Sequence, residues 1–361
     1  MQVINDICKN LSFPGQLQRY AAADPVLFVD IETLGLSPKT SPIYLIGCGY
    51  FDNNGFNISQ FFADSYQDEP YLLQDFLSFS SGFKTLMHFN GDKFDLPFIK
   101  GRCRIYGLEH DLDARGSIDI YKEIKPLKNI LPLSSLRQKN IELFLGIDRE
   151  DEYDGGELIN VYRRYVKEKS DNDKRLLLLH NREDIAGMPH LLRILDYLAL
   201  KDMTLSCISH DICSYTDHMG NIKRELIISY MHDLKLPKSF TSIKGNICIK
   251  CDMEGRIVFR VPVLDTEMKL FFEDHRNYYY LPDEKMCVHR SIAGSVDKMH
   301  RRPAKKEECF VNVRGSFIPY DNDPSVRLYR PGYASREYYI SLEDLDINKY
   351  GEALLRRMNI H

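Results

Sequence analysis

The stretch Val26–Leu36, VLFVDIETLGL, decides how the first half of this chain is read. Its opening is the apolar, β-branched run of a strand covered on both faces. Two carboxylates, Asp30 and Glu32, interrupt the run near its end, before Gly35 breaks it. Strand side chains alternate, so Asp30 and Glu32 project from one face. Two anions held that close repel, and they are costly to desolvate unless something positive sits between them. A divalent metal ion would answer that need; for the pair taken alone, a solvated strand end is the simpler alternative.

Working outward, residues 26–62 read as a meander of three strands: VLFVDIE, then IYLIGCGYF (43–51), then FNISQFF after the turn signal DNNG at 52–55. A helical stretch near 68–79 leads to a short fourth strand, TLMHFN (85–90). GDKFDLPFIKGRCRIYG (91–107) has helical spacing of Phe94, Phe98, Ile99 and Ile105, and SIDIY (117–121) offers a fifth strand. From 134 to 200 the text is helical, most clearly over Arg175–Leu200. Past about residue 203 the texture changes. GNICIKCDMEGRIVFRVPVL (245–264) reads as a hairpin about an EG turn, and tyrosines crowd 277–282 and 335–344.

The totals suit two domains. The chain has 361 residues, 43% hydrophobic and 28% charged, with a net charge of −4. Residues 1–200 hold 23 Lys/Arg against 29 Asp/Glu, and residues 201–361 hold 25 against 23. An acidic half with a carboxylate cluster beside a mildly basic half fits metal chemistry next to anion binding. No apolar run approaches the ~20 residues of a membrane span, and MQVINDICKN lacks the pattern of a signal region. Nine scattered cysteines read as reduced thiols of a cytoplasmic protein.

Three further motifs bear on the opening pair. In HFNGDKFDLPFI (88–99), Asn90-Gly91 leaves a strand and Asp95 falls on the first turn of the following helix, with Asp92 as a competing carboxylate. In HNREDI (180–185), His180 and Asp184 stand four apart and share a helix face, with Glu183 as the competitor. Between them lies LFLGIDREDEYDGGEL (143–158). A D-x-E strand, an N-G-x-x-F-D helix and a late H-x-x-x-D helix, in this order, resemble the three exonuclease motifs of the DEDD superfamily of ribonuclease H-like 3′–5′ exonucleases. The likeness is closest to the bacterial YprB-type ribonuclease H-like domain, which shares the 143–158 stretch and the late HN-x-x-D, and it covers roughly residues 20–200.

The resemblance implies an α/β fold over 20–200, a mixed five-stranded sheet with flanking helices; the strand-rich text beyond it reads as a separate β-rich accessory domain over 215–361. It implies that Asp30, Glu32, Asp95 and Asp184 bind two Mg²⁺ or Mn²⁺ ions, hard cations that favour carboxylate oxygen, for an in-line phosphoryl displacement. His180 would act as general base. In the superfamily the histidine usually stands five positions before the last Asp and the tyrosine of a second subclass four; here a histidine occupies the tyrosine spacing. Asn90 would touch the substrate backbone, with a turn role as the alternative. Asp119 reads as a satisfied strand-end carboxylate rather than a fifth ligand.

In the second half, Cys248 and Cys251 form a lone C-x-x-C inside an alternating strand and read as strand cysteines rather than zinc ligands. The tract Lys285–Lys306 carries seven Lys/Arg against one acid, Asp297. Arg301, Arg302, Lys305 and Lys306 beside Tyr278–Tyr280 therefore make a candidate single-stranded nucleic-acid surface, with a solvated patch as the alternative. The expected function is metal-dependent 3′–5′ exonucleolysis of DNA or RNA at a single-stranded 3′ end. Structure-specific endonucleolysis and a non-catalytic nucleic-acid-binding module are the alternatives, and retention of all four carboxylates favours an enzyme.

Overall fold

The computed structural model describes residues 1–19 and 25–358. The chain divides into two compact units: Met1–Lys128 with Leu133–Leu198, and Asn129–Pro132 with Ala199–His361. The expected domain limits at 20 and 361 lie outside the described residues.

The first unit is built on a mixed sheet of strands β1 (Gln2–Cys8), β2 (Val26–Thr33), β3 (Ile43–Asp52), β4 (Gly55–Phe62), β5 (Thr85–His88) and β6 (Gly116–Asp119), in the order β1-β4-β3-β2-β5-β6. The β2–β3–β4 meander is antiparallel, and β2, β5 and β6 run parallel. Parallel neighbours need crossovers, and helices α1 (Glu69–Ser80) and α2 (Asp95–Tyr106) provide them. Helices α3 (Ile120–Ile124), α4 (Gln138–Leu145), α5 (Gly155–Glu168) and α6 (Asp171–Leu191) follow.

The sheet has six strands, not the expected five. β1 joins the free edge of β4, from Gln2↔Phe62 to Cys8↔Phe56. Most of its side chains are exposed, Val3 and Ile7 included. An edge strand held mainly by its backbone ladder needs no apolar face, so QVINDIC carries no alternation to read. The long helix also ends sooner than expected. Pro189 removes a donor from its last turn, and after Leu191 the chain tightens into a 3-10 stretch, Leu192–Asp202.

The core lies on both faces of the sheet. On one, Leu72, Leu73 and Phe76 of α1 pack with Ile46 and Phe61, whose ring meets that of Phe76 edge-on. On the other, α6 crosses β2, β3 and β4. Its close approach depends on Gly47 and Gly49 of β3, where an added Cβ would lie 2.3 Å from Asn181 Oδ1 and 2.6 Å from Ile185 Cγ2. Gly47 pairs with Asp30, so the missing side chain is what seats α6 over the acidic end of β2.

The second unit is β-rich. A seven-stranded sheet runs β16-β15-β11-β10-β9, with β8 also on β11 and β7 on β8; its strands are β7 (Ser206–Thr216), β8 (Ile222–Met231), β9 (Phe240–Lys244), β10 (Ile247–Cys251), β11 (Arg256–Phe271), β15 (Phe310–Tyr320) and β16 (Tyr338–Ser341). A three-stranded sheet contains β12 (Tyr278–Leu281), β13 (Met286–His289) and β14 (Arg302–Pro303). The β10–β11 hairpin turns at Gly255, whose φ of 93° suits glycine. Helix α7 (Ile347–Arg357) buries Tyr350 and Leu354, and the Tyr350 hydroxyl donates to Pro319 O at 2.7 Å.

Candidate active site

The site forms at the C-terminal end of β2, where the chain's neighbours diverge: β3 antiparallel on one side, β5 parallel on the other. Open α/β sheets place their ligand sites at such strand ends. Glu32 is buried and Asp30 largely covered. A register shift between Glu32 and Thr33 ends their regular pairing with β3, the kind of irregularity that re-aims side chains beside a site.

Asp95, at the start of α2, is buried and accepts the Ile31 N–H at 3.1 Å, which ties it to β2 between the two strand carboxylates. Its competitor Asp92 turns elsewhere, accepting from Ser117 Oγ at 2.5 Å and pairing with Lys122. Glu183 likewise turns away, accepting the backbone N–H groups of Glu150 and Asp151 at 2.9 and 3.0 Å. Asp184 faces the cluster. The structure thus brings Asp30, Glu32, Asp95, His180 and Asp184 together.

Burial, reinforced by Asp184, Asp95 and Glu32, holds the Asp30 carboxyl well above the usual carboxylate range. Glu32 is raised well above it by burial and by Asp184, Asp95 and Asp151. Burial likewise pushes Asp95 up to about 7, with Asp119 and Asp184 adding to it against two backbone N–H groups. Among the described residues no Lys or Arg pairs with Asp30, Glu32 or Asp95. Asp30 accepts from the neutral amide of Asn181, at 2.9 Å. A donor set of crowded carboxylate oxygens without balancing cations fits hard divalent ions. Ligand atoms of Glu32, His180 and Asp184 lie within 4.8 Å of one another.

Sequence reasoning missed the groups that hold this cluster. Asp151 Oδ2 lies 2.7 Å from His180 Nδ1 and also accepts Lys139 Nζ at 2.9 Å. Burial raises its carboxyl, but Lys139 and His180 outweigh that and hold it below the usual range. Arg149 reaches Asp184 Oδ1 at 2.7 Å and the buried Glu142 at 2.9 Å. Gln138 donates to Glu142 and to the Asp184 carbonyl at 2.8 Å. Asn181 also accepts from Gln60 at 2.9 Å. The signal for Asn181 was present: Leu177, His180, Asn181 and Asp184 follow the i, i+3, i+4 stripe of a buried helix face. Asp151 and Arg149 sit in an irregular segment between α4 and α5, where no periodicity points to them.

Asn90 leaves β5 with φ 62°, and its N–H donates to Asp119 Oδ1 at 2.8 Å. Asp119 also caps α3 through Tyr121 N, while its Oδ2 is buried without a hydrogen bond. His88, Asp92 and Asp119 could in outline hold a metal. However, His88 Nδ1 accepts the Gly91 N–H at 3.1 Å, so Nε2 carries the proton and donates to Ser117 Oγ at 2.8 Å. That tautomer has no lone pair left to ligate.

In the second unit, Arg301 lies over the Tyr279 ring and donates to Ala293 O. Arg302 lies over Tyr280 and grips Glu308 through two bonds of 2.7 and 2.6 Å. Lys305 and Lys306 are exposed. Cys248 and Cys251 point to opposite faces of β10, as odd strand spacing requires, one half-buried and the other buried.

Residues 27–196 match the model of the RNase_H superfamily. The chain is 29% identical over 178 residues to a Methanocaldococcus jannaschii protein described as uncharacterized, across 46% of this chain and 93% of that one. It is similar to a family B DNA polymerase of the archaeon Pyrobaculum calidifontis (TM-score 0.41, 14% identity, 49% of this chain and 25% of the polymerase). It is also similar to Escherichia coli Exonuclease I in complex with a dT13 oligonucleotide (TM-score 0.30, 12% identity, 57% of this chain and 55% of that one). It thus spans a quarter to about half the length of these two structures.

Proposed function

We propose that the ribonuclease H superfamily domain at residues 27–196 is a divalent-metal-dependent 3′–5′ exonuclease of the DEDD kind, acting on single-stranded 3′ ends of DNA or RNA. The observation that carries this reading is the convergence of Asp30, Glu32, Asp95 and Asp184, from three separate elements, around His180, with no Lys or Arg paired with the first three among the described residues. When bound by these four carboxylates, two Mg²⁺ or Mn²⁺ ions would supply the Lewis acidity for an in-line displacement at phosphorus.

The chain's own residues set up the rest. The buried Asp151 carboxylate accepts the Nδ1 proton of His180, which leaves Nε2 as the basic nitrogen, 3.3 Å from both Glu32 and Asp184. Nε2 takes a proton from the attacking water as its oxygen bonds to phosphorus and the bond from phosphorus to the 3′ oxygen breaks, the departing oxygen taking its proton from solvent water. The products are a nucleoside 5′-monophosphate and a strand with a new 3′ hydroxyl. Arg149 is a positioning residue: it holds one oxygen of Asp184 and leaves the other toward His180. For the second unit we assign a supporting role in strand binding, and the nine free thiols favour a reducing, cytoplasmic setting for the whole protein.

The test is a gel assay with 3′- and 5′-labelled single- and double-stranded DNA and RNA, and a circular single strand, in Mg²⁺, Mn²⁺ or EDTA. Stepwise shortening from the 3′ end, abolished by EDTA, supports the reading. Cleavage of the circle assigns an endonuclease instead, and binding without cleavage of any substrate leaves a nucleic-acid-binding module.

A further inference from the structure

Beside the carboxylate cluster the first unit has a cavity of about 680 Å³ that the reaction above does not use. Its walls include Phe89, Asn90, Lys93, Tyr121, Lys128 and Arg137. One hydrogen bond joins it to the cluster: Gln138, which also lines it, donates to the Asp184 carbonyl at 2.8 Å.

Its chemistry differs sharply from that of the acidic site. Lys93, Lys128 and Arg137 are exposed, and none makes an ion pair among the described residues. Neighbouring cations are spent: Lys122 on Asp92 and Lys139 on Asp151. Three unpaired cations at one cavity await an anion from outside. Phe89 and Tyr121 meet edge to face, centroids 6.0 Å apart, and both are partly exposed, so aromatic surface is open to the cavity. Asn90 carries an amide able to donate and accept. The volume lies within the range of small-molecule sites.

We infer that this cavity holds one nucleotide of the substrate strand next to the scissile phosphate, its base against Phe89 and Tyr121 and its flanking phosphates on Lys93, Lys128 and Arg137. Base–aromatic contact is available only to an unstacked base, so the cavity selects single-stranded substrate. The inference rests on the nuclease reading for the identity of the strand. A free nucleoside monophosphate offers the same chemistry, and the experiment separates the two.

The experiment measures binding of a fluorescent tetranucleotide by anisotropy in Ca²⁺ at several salt concentrations, with unlabelled AMP and dTMP as competitors. In K93A/K128A/R137A, three exposed positions whose loss spares the core, the slope of log K against log salt should become shallower by about 1.4, at roughly 0.7 for each of the two flanking phosphates. F89A should bind roughly 5- to 150-fold more weakly, the usual worth of one stacked base. The all-arginine K93R/K128R variant should bind like wild type. Unchanged affinity and slope in the triple alanine variant, with cleavage intact, overturns the cavity assignment and leaves the nuclease reading standing. Loss of binding in that variant, in a wild type that cleaves nothing, upholds the cavity and overturns the nuclease. Competition by a mononucleotide as tight as by the tetranucleotide overturns the assignment to a strand.

Discussion

Asp151 Oδ2 lies 2.7 Å from His180 Nδ1, and the other ring nitrogen of His180 stands 3.3 Å from both Glu32 and Asp184. A carboxylate on one nitrogen fixes which nitrogen is basic on the other side of the ring. D151N keeps the shape but lets an amide N–H face Nδ1, which favours the opposite tautomer. Single-turnover cleavage should slow by about 10²–10⁴-fold, the usual worth of a general base, with Mn²⁺ affinity by titration calorimetry little changed. Nitrogen-15 shifts of His180 should report the swapped tautomer. H180A should match D151N in rate, and full activity in either variant would demote the pair to packing.

Asp30 carries the second prediction. Burial and three neighbouring carboxylates disfavour its charge, so D30N should abolish hydrolysis while leaving the apoprotein at least as stable. Circular dichroism melts in EDTA and the gel assay decide it. A folded D30N enzyme that digests oligonucleotides at the wild-type rate would sink the carboxylate assignment.

The same three groups give the apoprotein a pH dependence with a definite sign. Asp30, Glu32 and Asp95 have raised folded-state pKa values, Asp95 at about 7. Between the ordinary carboxylate range and that value the folded state binds more protons than the unfolded state, so stability must fall as pH rises. In EDTA the melting temperature should therefore climb from pH 8 to pH 5, and D95N should flatten the climb. Saturating Mn²⁺, which favours the ionised forms, should reverse it. A flat profile in EDTA would mean that the cluster is not strained by charge.

Gly47 tests the seating of α6. A methyl there would lie 2.3 Å from Asn181 Oδ1, and Asn181 cannot swing aside without losing its bonds to Asp30 and Gln60. G47A should cost about 1–3 kcal/mol, the usual penalty of overpacking, and lower activity together with it. Urea melts and cleavage rates on the same preparation measure both. Wild-type stability would show that the helix has room to move.

These residues also show why the sequence revealed some of the site and hid the rest. Asp30, Glu32, Asp95, His180 and Asp184 lie on a strand and two helices, where period fixes which side chains share a face. Strand β1 was invisible because an exposed edge strand needs no apolar face. Asp151 and Arg149 were invisible because they act from an irregular segment 29 or more residues from the histidine they support. Gly47 reads simply as a glycine in a strand until its cross-strand partner, Asp30, and the helix above it are known.

The basic tract of the second unit yields the last prediction, and its magnitude depends on which cations are free. Arg301 and Arg302 are already engaged, with Tyr279, Tyr280, Ala293 and Glu308. Each lies over a tyrosine ring and occupies one face on which a base could otherwise stack. Lys305 and Lys306 remain exposed. If the tract binds a strand, the lysines should carry the counterion release, and K305A/K306A should flatten the salt slope by about 1.4, at roughly 0.7 per phosphate. R301A/R302A should instead loosen the β12–β14 sheet, read as faster amide exchange there, and change the slope less. The measurement is anisotropy of a 20-nucleotide strand in Ca²⁺ over a salt series. Cleavage of a dinucleotide, too short to span beyond the catalytic cluster, should be untouched in K305A/K306A. A slope equal to wild type in that variant would leave the tract as a solvated surface.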